Sequence, residues 1–79
     1  MTAHIKEKYF MVCLDLFTGR SFWHKNDEAF YGNIDFDYEF DAVAFKDLRS
    51  ARKELAKAKE LVPNKADDMF ILKCEEVTK

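Results

Sequence analysis

Apolar and polar positions alternate most strictly between Ile34 and Asp41, where Ile34, Phe36, Tyr38 and Phe40 interleave with Asp35, Asp37, Glu39 and Asp41. Period two over this stretch is the mark of a half-buried strand, because successive strand side chains point to opposite faces. The spacing predicts a strand over residues 34–45, with Ala42 to Phe45 continuing it past a bulge where the alternation loses phase. Two strands precede it. Lys8 to Phe17 is rich in aromatic and branched residues without helical spacing, Thr18-Gly19 punctuates it, and Arg20 to Lys25 follows with Phe22 and Trp23. That reads as a hairpin over residues 8–25, turned near Gly19 and preceded by a polar leader at residues 1–7. Asn26 to Asn33 reads as a loop in which Phe30 and Tyr31 pack on a neighbour.

One segment has a different period. Leu48, Ala51, Leu55, Ala58 and Val62 recur at spacings of three and four among Lys, Arg, Glu and Ala, which places them on one helical stripe. Asp47 is positioned as the N-cap and Pro63-Asn64 as the stop, so a helix is expected over residues 48–62. Met69 to Val77 returns as a final strand over residues 69–77. The order β-β-β-α-β with one amphipathic helix implies an α+β domain of two layers. A mostly antiparallel sheet of about four strands would have the helix on one face.

Composition narrows the class. Seventy-nine residues leave room for a single domain, residues 1–79, and 48% hydrophobic content with eight Phe, three Tyr and one Trp excludes a disordered or low-complexity chain. Trp23, Phe30 and Tyr31 are the aromatics expected to stay partly exposed. The longest apolar run, Tyr9 to Leu14, falls far short of the roughly 20 residues a spanning helix needs. Lys6 and Lys8 precede it in the manner of a secretory signal, but Asp15 breaks the run and no small-residue cleavage site follows. Two cysteines make no disulfide framework, and the expectation is a reduced, cytoplasmic protein without a membrane partner.

The net charge of −2 conceals a partition. Between Asp27 and Asp41 there are six acidic residues and no Lys or Arg, whereas Lys46 to Lys65 holds seven basic and three acidic ones, a balance of +4. On a strand, Asp35, Asp37, Glu39 and Asp41 would form one row of carboxylates about 6.5–7 Å apart, of the order of phosphate spacing along a nucleic acid. Like charges so aligned repel one another. The row is therefore a candidate docking strip for a protein partner with a basic surface. It would equally serve as a solvated outer face whose acids prevent edge pairing. Arg49, Arg52, Lys53 and Lys57 on the helix are the alternative contact, with nucleic acid, although Glu54 interrupts that basic surface. A third reading is a self-associating module in which an uncovered sheet face or edge makes a homodimer.

Catalytic and metal chemistry find little support. Cys13 and Cys74 lie inside expected strands among apolar neighbours, where a thiol is an inert small hydrophobe. With His4 and His24 they have the composition of a zinc set but none of its spacing, and His24 beside Trp23 reads as a surface or rim residue. Asp35, Asp37 and Glu39 echo the start of a calcium loop, but Phe40 stands where that loop requires glycine. No cofactor, metal site or enzymatic activity is expected.

At Phe45 the chain reaches Phe45, Asp47, Ala51 and Leu55, an aromatic strand end, a polar cap and an Ala-x-x-x-Leu helix, followed by the strand MFILKCEEV. Over Ala42 to Val77 this pattern resembles small accessory proteins of bacteriophages and mobile elements. The resemblance carries no catalytic residues. It implies an accessory protein acting in the host cytoplasm. Many such proteins block a host protein, some as DNA mimics or as inhibitors of CRISPR and restriction systems. The basic helix departs from the uniformly acidic surface of full mimics.

Overall fold

The longest strand, β1 (Ile5–Leu16), is the axis of the molecule and both of its edges are used. In the computed structural model, which describes the backbone of residues 5–78 and the side chains of 8–75, this strand starts at Ile5. It thus begins inside the stretch read as a polar leader, whose residues 1–4 lie outside the described ones. The final strand, β5 (Met69–Thr78), runs antiparallel along one edge of β1, from Ile5 opposite Thr78 to Leu14 opposite Met69.

The other edge of β1 is shared in succession. The strand β2 (Gly19–His24) takes its end, with Cys13 opposite Phe22 and Leu16 opposite Gly19, and the two-residue β4 (Ala44–Phe45) takes Phe10 and Met11. The hairpin turns through Phe17-Thr18, and Gly19 after it has φ of 141°, a backbone that L side chains rarely adopt. Residues read as loop supply a further strand, β3 (Ala29–Tyr31), with Trp23 opposite Phe30. The α+β class and antiparallel sheet stand as expected.

Residues 34–45 depart from expectation. Phe36–Val43 is a helix, α1, and only Ala44–Phe45 is strand. Two physical reasons favour the helix. The side chain of Asp35 accepts from the Asp37 backbone N–H and caps it, with Asp37 and Glu39 in the first turn beside its positive end. The strict alternation also contains a helical stripe, Phe36, Phe40 and Val43, which packs on the sheet: Phe36 on Phe22, Phe40 on Tyr9, and Val43 fully buried. Tyr38 does not fit that stripe and is left 88% exposed. A long strand here, continuing β4 back along β1, would also run into β2, which takes that edge from Cys13 to Leu16.

The helix α2 (Leu48–Leu61) forms as expected, capped by the Asp47 carboxylate accepting from the Ser50 N–H at 2.7 Å. A 3₁₀ segment, Pro63–Asp68, leads into β5. Alternation along β1 divides the core into two layers. Val12 and Leu14 pack with Trp23, Phe45, Met69 and the α2 residues Ala51 and Ala58. Met11 and Cys13 pack with Val43, Phe22, Phe70 and Leu72 on the opposite face, which α1 partly covers. Trp23, expected to be partly exposed, is wholly buried and donates its indole N–H to Glu54 Oε1 at 3.1 Å. Phe30 and Tyr31 do remain partly exposed.

Candidate binding surfaces

The helix breaks up the acidic row. At 3.6 residues per turn, Asp37 and Asp41 share one stripe, while Asp35 and Glu39 share another. Asp35 is spent on the cap. Glu39 is half-buried, and its Oε2 lies 3.4 Å from Nε2 of His24. Asp37 and Asp41 remain exposed, and among the described residues neither has an ion-pair partner. Tyr38 stands beside Asp37 and one turn from both Asp35 and Asp41. The outer face of α1 is thus an exposed phenol ring among carboxylates, in place of a row of four. Beyond Asp41 an open cleft is lined by Lys8, Tyr9, Phe40, Phe45 and Lys46.

His24 is a second correction. It is buried, 6% exposed, not a rim residue, because β2 continues through it and α1 covers that face. Its Nε2 is sealed from solvent and, among the described residues, has no hydrogen-bond partner despite the nearby Glu39 carboxylate. The ring meets Tyr31 edge-on at 4.7 Å between centroids. The neighbouring Asp27 carboxylate is the main cause that raises the Tyr31 phenol above its ordinary pKa. His24, Asp27, Tyr31, Asn33 and Glu39 line one shallow hollow. Nothing in the sequence pattern could have assembled this group, because it depends on α1 being a helix that turns Glu39 back toward β2. The hollow lies where α1 meets β2, with the half-buried Glu39 carboxylate facing the buried His24 ring.

On α2, Arg49, Arg52 and Lys53 are exposed, and among the described residues none has an ion-pair partner. Lys57 differs, since its Nζ lies 3.2 Å from Glu28 Oε1. Glu54, expected to interrupt the basic surface, is instead drawn inward by Trp23. Arg49, Arg52 and Lys53, three and four residues apart, share one side of α2 near its start.

The thiols do not join these surfaces. Cys13 lies opposite Phe70 and Cys74 opposite Tyr9, four positions apart on the same face, about 13 Å, well beyond bridging distance. Both are free, and burial pushes the Cys13 thiol up to about 11. Among the described residues no three His, Cys, Asp or Glu converge to hold a metal, and no helix is long and apolar enough to cross a membrane. His4 lies outside the described residues. Compared with known protein families, curated proteins and solved structures, the chain matches none.

Proposed function

We propose that this is a non-catalytic binding protein that docks the outer face of α1 on a basic surface of a partner protein. The observation that carries the reading is Tyr38, 88% exposed and flanked by Asp37 and Asp41, whose carboxylates have no ion-pair partner among the described residues. An aromatic ring held in water by a short helix gains apolar burial only when a partner covers it, and aromatics dominate binding hot spots. The surrounding acids select a cationic partner and speed encounter. A nucleic-acid-binding protein fits that description, with the two carboxylates occupying its phosphate sites. Such blocking of a host or defence protein is what the phage-like pattern of Ala42 to Val77 implies.

The informative variant spares Asp35 and Glu39, because replacing a cap or the neighbour of His24 would confuse unfolding with lost binding. Asp37→Lys, Tyr38→Ala and Asp41→Lys together are expected to abolish capture of basic host proteins on immobilised protein while leaving its circular dichroism intact. Capture by the wild type should weaken steeply with salt. Unchanged capture by the triple variant, with an unchanged salt slope, would remove the proposal.

The inward turn of Glu54 favours a second reading, binding of nucleic acid through Arg49, Arg52 and Lys53. Retention of DNA or RNA at low salt, lost when these three become Ala, would support it. Lys57 is left out of that set because Glu28 already neutralises it.

A further inference from the structure

We propose that the protein self-associates through the free edge of β5, as a two-fold dimer with Cys74 opposite Cys74 of the second copy and Lys73 opposite Glu75. Among the described pairings β5 bonds only to β1, and it does so without interruption over ten residues. Its outer backbone groups form a long, regular edge, which is a template for another strand.

Proteins blunt such edges with charge, and Lys73 stands in the middle of this one with its side chain 58% exposed. A lone lysine would oppose pairing in every register. Here Glu75 follows on the same face, its Oε1 4.0 Å from Lys73 Nζ, so the edge is complementary to itself in one register. A two-fold perpendicular to the sheet keeps each face continuous across the junction and centres the register on a residue. Centred on Lys73 or on Glu75, it sets like charges against each other. Centred on Leu72, it sets Lys73 against Ile71 and Glu75 against Met69, each charge against an apolar residue. Centred on Cys74, it sets Glu76 against Leu72 but faces Lys73 with Glu75 twice, which none of the other three centrings does.

That register also extends a charge row already present. Lys8 of β1 lies 3.9 Å from Glu75, so Lys8, Glu75 and Lys73 of the second copy alternate in sign across three strands, on the face that carries α2. Cys74 lies on the opposite face beside Leu72, a half-buried free thiol. With Cys13 fully buried, Cys74 is the thiol that chemistry from outside can reach.

Sedimentation equilibrium of the full chain is expected to give twice the 9.3 kDa monomer mass at high concentration. Lys73→Glu and Glu75→Lys, each alone, should raise the dimer dissociation constant about tenfold or more, because each sets like charges together twice. The two changes in one chain should restore the dimer, and so should mixing the two single variants. Circular dichroism of each variant monitors folding. Catalysed air oxidation should trap a covalent dimer that Cys74→Ser abolishes and Cys13→Ala retains. A monomeric mass at millimolar concentration, indifference to the single swaps, or failure of the paired swaps to rescue would each overturn the proposal. The edge shares no residue with Asp37, Tyr38 and Asp41, so loss of self-association and loss of partner capture are separately visible.

Discussion

Both helices are capped by an aspartate, but α1 carries Asp37 and Glu39 in its first turn, whereas α2 (Leu48–Leu61) has no acid there and carries Arg49, with Arg52 and Lys53 one turn on. The positive end of a helix dipole favours the first arrangement and disfavours the second. Part of the acidic charge of α1 is thus explained by folding alone: Asp35 satisfies the Asp37 N–H and Glu39 faces His24. What folding leaves unexplained on α1 is the bare ring of Tyr38, and on α2 the cation placed against its own dipole. Sorted charge along a chain is a weaker sign of function than charge or apolar surface that the local structure does not need.

The two helices also differ in how they are held, and this gives the largest expected effect. α2 rests on Trp23 through both the buried indole and its hydrogen bond to Glu54, so Trp23→Ala should cost about 3–5 kcal/mol in urea denaturation. Val43→Ala under α1 removes a smaller buried group and should cost about 2 kcal/mol. Equal costs for the two would erase the difference in anchoring.

The caps come next. Both helices start at an aspartate, and Asp35→Ala should lose about 1 kcal/mol, read as a shift in denaturation midpoint. The cap of α2 carries a pH dependence. The backbone N–H of Ser50, then the Ser50 hydroxyl and last the Arg49 charge hold the Asp47 carboxyl below its ordinary value of 3.8. A depressed folded-state pKa contributes stability that is present above the unfolded value and is lost as pH falls through the folded one. Asp47→Asn keeps a capping side chain but should flatten the acid limb of the stability profile below about pH 4. An acid limb identical to that of the wild type would show that the capping carboxylate has no linked proton.

Much of this architecture was legible because the signals were redundant. α2 had a three-four stripe, a cap and a proline stop that all agreed, and β1, β2 and β5 were rich in branched and aromatic residues. The segment after Asn33 was misleading for a specific reason. Phe36 and Phe40 are an even number apart, so they satisfy a strand pattern and a helix pattern at once. The positions that distinguish the two are Val43, in helical phase, and Tyr38, out of it. What decided the matter is tertiary: β5 takes one edge of β1 and β2 takes the other from Cys13 onward, so β4 cannot extend along β1 as a long fourth strand. The His24–Glu39 approach and the inward turn of Glu54 depend on the same packing and could not be read earlier.

The smallest effect is the sharpest probe of the opening contrast. Asp37→Lys puts a cation at the positive end of α1 and should destabilise by about 0.3–1 kcal/mol at low salt. Arg49→Glu does the reverse on α2 and should stabilise by about 0.3 kcal/mol, the gain being reduced because the new carboxylate lies near Asp47. Opposite signs, both shrinking as salt is added, are the outcome expected if α2 carries its first-turn cation at a cost to folding. On the second reading, in which α2 binds nucleic acid, Arg49→Glu should then weaken retention of nucleic acid even as the fold gains stability. If Arg49→Glu instead destabilises the protein, the cation serves the fold through Asp47, and the bare ring of Tyr38 is left as the surface that folding does not explain.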